Sequence, residues 1–224
     1  MSKTKRLIIV VEGETEEEFV NRILKPYFAS KNIFNVKCFK IKHSRGGLSK
    51  YSHFRRDILK CIYQQDAVVT SLIDFYALPT DFPEYEKAKQ EMDKNKQVQI
   101  LEQEIKKEIE KSQKQEFNNF IPYIQLHEFE ALIFSSINGF DGFEKNKIDI
   151  ENIEKILKNY ANPEDINDNK STAPSKRLLK HIKGYNKIVD GNMMIQKIGI
   201  DVVIKKCKRF SGWLDKIIKS MEVS

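Results

Sequence analysis

Apolar residues fall along the chain in two rhythms, short unbroken runs and positions spaced by three or four. Leu7, Ile8, Ile9, Val10 and Val11 form an unbroken run stopped by Glu12 and Gly13, the signature of a strand buried on both faces, as in parallel sheets. Phe19, Val20, Ile23 and Leu24 then recur at helical spacing behind Thr15 as N-cap and Gly13 as the turn, predicting a helix that ends near Ser30. Phe34, Val36, Cys38, Phe39 and Ile41 largely alternate and predict a second strand within 33–41. Tyr51, Phe54, Ile58, Leu59 and Ile62 return to helical spacing, and 67–73 is another buried strand, ending on Asp74. The stretch 84–116 is densely charged but nearly balanced, with Leu101, Ile105 and Ile109 four residues apart; it predicts one or two long, mostly exposed helices, a surface that could also dock a partner. A fourth strand is predicted over 120–126, with Pro122 marking an edge position, followed by His127-Glu128-Phe129-Glu130 and a helix through Ala131, Leu132, Ile133 and Phe134.

Strands alternating with helices predict an α/β fold, a Rossmann-like open sheet of about four mainly parallel strands flanked by helices, with a helical carboxyl-terminal extension. The expected division is an α/β core over 1–136, including the charged helical segment at about 84–116, and a basic helical extension over 137–224 packed on it. Right-handed crossovers make helix-joined strands parallel, so their carboxyl ends share one rim. Glu12, Asp74 and Glu128 each follow a predicted strand and are expected on that rim. Several carboxylates so close repel one another unless a cation neutralises them, and oxygen ligands select Mg²⁺ or Mn²⁺ over zinc. Glu16, in the first turn of the helix after Glu12, is expected to converge on the same point; Glu17 and Glu18 suit the helix dipole instead.

The chain has 224 residues, 40% of them hydrophobic, enough for one sizeable domain or one domain with a small appendage. No apolar run approaches the ~18 residues of a membrane span, and Lys3, Lys5 and Arg6 lead directly into a short strand rather than a signal-peptide core. The expectation is a cytoplasmic protein with no membrane partner. Cys38, Cys61 and Cys207 include no CxxC pair, so neither a disulfide framework nor structural zinc is expected. The net charge of +7 is uneven: 170–224 holds 13 Lys and Arg against four Asp and Glu, or +9, and the rest of the chain sums to −2. A basic tail beside an acidic site suits a polyanion such as DNA or RNA, although lysine-rich helix faces also occur simply to be solvated.

Other residues carry alternatives. Glu130 is a reserve ligand, and His127 a group that orients a carboxylate, satisfies a buried hydrogen bond or binds metal; the single His excludes a zinc-protease helix, which needs two at i and i+4. Asp81, in a Pro-containing turn, is either a turn former or an additional ligand. Pro174 suits a first helical turn, so Ser175, Lys176 and Arg177 form a candidate phosphate site at a helix amino terminus, with Lys176 as transition-state cation; an ordinary helix start with solvated lysines is the alternative. Arg45 and Lys50 flank Gly46-Gly47 in a loop that could touch a nucleic-acid backbone. Phe210, Trp213 and Leu214 are expected to pack a terminal helix rather than stack bases.

The order strand, Glu12-Gly13-x-x-Glu16, helix, strand, helix, strand, Asp74 resembles the Toprim domain of topoisomerases, primases and overcoming-lysogenization-defect nucleases. The segments Phe120 to Leu132, Thr172-Ala173-Pro174-Ser175-Lys176-Arg177-Leu178 and Cys207-x-x-Phe210-x-x-Trp213-Leu214 resemble the family called domain of unknown function 4276, over nearly the whole chain. The resemblance implies a Toprim-like fold in which Glu12 and Asp74 hold divalent cations, and a metal-dependent nuclease of the kind found beside an ATPase in prokaryotic antiphage systems. The Toprim acidic motif has two Asp separated by one residue, whereas Asp74 is followed by Phe75 and Tyr76. Glu128 is the expected substitute, and one firmly held ion is as compatible with the sequence as two. A non-catalytic nucleic-acid-binding module that regulates an ATPase is the competing class, a homo-oligomer is an open alternative, and phosphotransfer on nucleotides lacks an identifiable base pocket.

Overall fold

The computed structural model describes residues 5–42, 47–76, 78–144, 146–166 and 171–222. Two compact units divide the chain, one formed by 1–124 together with 213–224, the other by 125–212. The boundary falls earlier than the 136/137 division read from the sequence, and the last helical segment groups with the first unit.

In the first unit β1 (Arg6–Val11), β2 (Val36–Lys40), β3 (Ala67–Asp74) and β4 (Phe120–Ile121) form a sheet in the order β2-β1-β3-β4, with every ladder among these four parallel. This is the α/β open sheet that the alternating pattern predicts. From Leu7 to Val11 no residue is more than 1% exposed, and all eight residues of β3 are buried, which is why both strands are written as unbroken apolar runs. The polar members of β3 are satisfied: Thr70 Oγ1 donates to the Ile121 carbonyl (2.6 Å) and accepts from the Trp213 indole N–H (2.8 Å).

The expected strand over 120–126 is instead two short pieces, β4 and β5 (Ile124–Gln125), both pairing with β3. Pro122 has no N–H to give to a ladder. At Tyr123 the backbone N–H and C=O both bond the Ser71 hydroxyl, at 2.9 Å each, so a side chain replaces the ladder there.

The helix predicted to end near Ser30 is continuous but changes pitch, from α1 (Glu14–Phe19) through a π-helical turn (Val20–Leu24) to α2 (Lys25–Ser30). Pro26 accounts for the change: it cannot donate to the carbonyl of Arg22 and its ring would strike it, so the turn before it widens. The charged stretch forms α4 (Tyr85–Lys89) and α5 (Lys94–Gln113), and α5 buries Val98, Leu101, Ile105 and Ile109 on one face. Between β2 and β3, α3 (Tyr51–Ile62) is tied to α5 where Glu108 accepts from the Tyr51 hydroxyl (2.6 Å) and Arg55 Nε (3.1 Å).

The second unit is helical. Its centre is a 3₁₀ segment, Phe129–Ser135, buried on every side and mostly apolar, with Glu130 and Ser135 its polar members. Around it lie α6 (Ile150–Asn159), α7 (Pro174–His181), α8 (Lys187–Ile198) and α9 (Ile200–Lys206). The last helix, α10 (Lys208–Glu222), starts under a buried carboxylate: Glu164 accepts from the backbone N–H of Arg209 (2.8 Å) and Phe210 (3.1 Å), filling orphan donors of its first turn. Among the described residues no helix is long and apolar enough to cross a membrane.

Candidate functional site

Glu12 stays in register past the end of β1. Val11 lies opposite Leu72, and the Glu12 N–H donates to the Leu72 carbonyl at 3.3 Å, which sets the Glu12 side chain at the carboxyl rim beside the last residues of β3. There Oε2 accepts the backbone N–H of Asp74 (3.2 Å) and Oε1 that of Leu48 (3.1 Å). These two bonds orient the Glu12 carboxylate at the rim. Gly47 sits against this carboxylate with φ +128°, a conformation L side chains rarely adopt, and a Cβ there would stand 3.5 Å from Glu12 Oε1.

Glu16, only 4% exposed, folds back so that Oε2 accepts the Gly13 N–H at 2.9 Å, closing the turn that joins β1 to α1. Its acidic neighbours are spent elsewhere. Glu14 and Glu17 reach Lys40 at 3.6 and 3.3 Å, and the bond and charge of Glu17, ahead of Glu14, raise the Lys40 ammonium above its usual range; Glu18 pairs with Arg22. Glu17 and Glu18, expected to suit the helix dipole, are thus engaged in ion pairs. Asp74 is buried at the end of β3, and Phe75 after it lies beneath the Lys89 ammonium, 4.6 Å from the ring centre.

Glu12, Asp74 and Glu16 therefore occupy the end of one strand, the end of its neighbour and the turn between the first strand and its helix. Among the described residues no group of three or more His, Cys, Asp or Glu is placed so that it could hold a metal ion. The donor chemistry fits a hard ion of the Mg²⁺ type, which takes one or two carboxylates and keeps several waters.

Asp81 is not at this rim position: both its oxygens accept the Tyr51 N–H, at 2.9 and 3.0 Å, capping α3. Lys50 is exposed at the residue before that helix, with no ion pair among the described residues. Arg45 lies outside the described residues.

The other candidates belong to the second unit. Glu128 and Ser175 are brought together, in an arrangement neither spacing nor periodicity suggested. Glu128 Oε2 accepts the Ser175 N–H and Oε1 the Ser175 hydroxyl, both at 2.9 Å, so the anion at the amino terminus of α7 is this carboxylate. Lys176 is exposed with no ion pair among the described residues, whereas Arg177 bonds the Thr172 carbonyl (2.7 Å) and packs over Tyr160. His127 precedes the 3₁₀ segment, buried and at φ +67°, a strained conformation for a side chain of its size; it therefore shares no helical face with Glu130. Glu130 is fully buried and paired with Lys187 at 3.3 Å. Burial first, then the charges of Glu130, Asp190 and Glu128, push the nearby Tyr185 phenol up, so it keeps its proton at neutral pH. Its hydroxyl rests against Gly191, where a Cβ would come within 3.1 Å.

Sequence reasoning missed Leu48, Gly47, Lys187 and Tyr185. Of these only Gly47 carried a signal, as half of a glycine pair.

The family model described as Domain of unknown function (DUF4276) matches residues 11–218, from the end of β1 into α10. No curated protein and no solved structure matches the chain.

Proposed function

As the chain belongs to the DUF4276 family, described only as of unknown function, we propose that it is a divalent-metal-dependent nuclease that hydrolyses phosphodiester bonds in DNA or RNA. The reading rests on one observation, the meeting of Glu12 and Asp74 at the carboxyl ends of adjacent parallel strands, with the Glu12 carboxylate turned by two backbone amides. Open α/β sheets hold their ligands at this edge. Glu12 and Asp74, with Glu16 at the following turn, would hold Mg²⁺ or Mn²⁺. Such an ion supplies Lewis acidity toward phosphoryl oxygens and a strong nucleophile from water at neutral pH. The chain's own contribution is orientation: the Leu48 and Asp74 amides fix the Glu12 carboxylate before substrate arrives, so little reorganisation is left for the reaction itself. The Toprim-like resemblance of Glu12-Gly13-x-x-Glu16 and Asp74 extends the proposal to an effector working beside an ATPase in prokaryotic antiphage defence.

The test is cleavage of plasmid DNA and of transfer RNA in Mn²⁺. Glu12→Ala is expected to lower the rate at least ~100-fold, as loss of a well-oriented charge-stabilising group does. Cleavage that survives this change, or a wild-type protein inert on both substrates with and without its ATPase, ends the nuclease reading.

A second reading is favoured by Tyr76, which stands where the Toprim motif has its second Asp. The rim would then bind a cation and nucleic acid without cutting, as a regulatory module for an ATPase. Nucleic-acid binding that is strengthened by Mn²⁺, lost with Glu12→Ala and never followed by cleavage would support it.

A further inference from the structure

Within the first unit, a groove of about 1010 Å³ runs along the outer edge of β4, walled by α5 and by the last turns of α10. Lys106 and Lys107 rise from one wall and Lys216 and Lys219 from the other, with the amides of Gln99, Gln103 and Asn118 between them. Two carboxylates also line it, and both are spent on the fold: Glu102 accepts the Ile124 N–H, and Glu110 accepts the Phe117 N–H and meets Lys106 at 3.8 Å. Lys107 reaches Glu104, while Lys216 and Lys219 are exposed and have no ion pair among the described residues.

From this charge pattern we infer that the groove is a binding surface for the phosphodiester backbone of a nucleic acid. Two unneutralised ammoniums facing two partly neutralised ones attract a polyanion, and exposed amides donate to phosphate and sugar oxygens. The groove is at the upper end of volumes that enclose a whole small ligand, so it suits an extended chain better than one nucleotide. Its one lining aromatic, Phe120, is 1% exposed, so no ring is offered for stacking and binding must read backbone rather than base. An acidic peptide would most naturally enter by adding a strand to the sheet edge. That edge is only two residues long and is followed by Pro122, which has no N–H, so the ladder such a peptide needs is missing.

The inference rests on nucleic acid being the substrate, but not on cleavage, and the experiment separates the two. Binding of a fluorescein-labelled single-stranded oligonucleotide is measured by anisotropy in EDTA as salt rises from about 50 to 200 mM. Lys216→Gln with Lys219→Gln should weaken binding at least ~5-fold at the low-salt end and flatten the slope of log K against log salt by about 1.4, two phosphate contacts at ~0.7 each. Lys106→Gln with Lys107→Gln should act in the same direction. Lys31→Gln with Lys37→Gln, which removes equal charge from the β2 side of the unit, should leave the slope unchanged. An equal loss in that control reduces the effect to net charge and overturns the proposal, as does wild-type protein that fails to bind, or displacement of the oligonucleotide by polyglutamate at matched charge. If the lysine pairs matter while Mn²⁺ produces no cleavage, the groove stands and the nuclease reading falls; if Glu12→Ala abolishes cleavage while the lysine pairs are neutral, the reverse holds.

Discussion

At the scale of single residues, several carboxylates at element ends act on backbone amides. Glu12 holds two, Glu16 one, Glu164 two, Asp81 one, and Glu128 an amide with a hydroxyl. Asp57 shows what such bonding does to stability. Burial pushes its carboxyl up, but bonds from Arg56, the Lys42 amide and Lys60 outweigh burial and leave it below its usual range. A group whose folded pKa is depressed stabilises fully above its unfolded value, near 4, and that stabilisation disappears as pH falls through the folded value. Asp57→Asn should therefore cost about 1 kcal/mol at pH 7, and the cost should shrink toward zero below about pH 4, read from urea midpoints of both proteins. A pH-independent difference would show that packing rather than ionisation is responsible. The thiols give a second expectation at this scale. Burial, ahead of the charges of Glu17 and Glu16, pushes Cys38 up to about 12, burial pushes Cys61 up to about 11, and Cys207 is raised too. Iodoacetamide at neutral pH should label native protein far more slowly than protein in denaturant; comparable rates would place a thiolate on the surface. The acids at strand ends, Glu12 and Asp74, were legible because each closes a buried, largely apolar strand. The pairing of Glu128 with Ser175 was not, because it joins residues whose meeting is set by packing of the whole second unit.

At the scale of elements, legibility followed burial. Strands β1 and β3 are covered on both faces, and that leaves an unmistakable apolar run. The break between β4 and β5 was hidden because it depends on the Ser71 hydroxyl, supplied by a strand far earlier in the chain. The expectation that Trp213 packs a terminal helix agrees with its 2% exposure, its stacking on Tyr123 (4.4 Å, 9°) and its bond to Thr70. Its indole bond ties the first half of α10 to the middle of β3. Trp213→Phe keeps a ring against Tyr123 but removes the indole N–H and leaves a void, so it should destabilise the first unit by about 2 kcal/mol. Far-ultraviolet circular dichroism in urea measures the change, and a loss under about 0.5 kcal/mol would mean that the helix is held by its aliphatic face, Leu214 and Ile217, instead.

At the scale of the whole chain, the uneven charge was legible in the sequence, but its placement was not. Lys106 and Lys107 sit in the stretch that sums to near neutrality, and only folding sets them opposite Lys216 and Lys219. The rim differs, because parallel strand order brings Glu12 and Asp74 to one edge as the alternating pattern predicts. If that rim takes up a cation, binding must stabilise the folded protein whether or not any chemistry follows, since a ligand that prefers the folded state adds RT ln(1 + [L]/Kd). At a hundred times Kd this is about 2.7 kcal/mol, or a rise of about 5–10 °C in Tm for a chain of this size. Trp213 is the chain's single tryptophan and belongs to the first unit, so its emission reports melting of the unit that carries Glu12 and Asp74. Mn²⁺ should raise that transition in wild-type protein, EDTA should reverse the rise, and Glu12→Gln, which keeps size but halves the bonding capacity toward a cation, should abolish most of it. Equal shifts in wild type and variant would locate the ion away from the rim, and no shift at millimolar Mn²⁺ would mean that the rim takes up no cation.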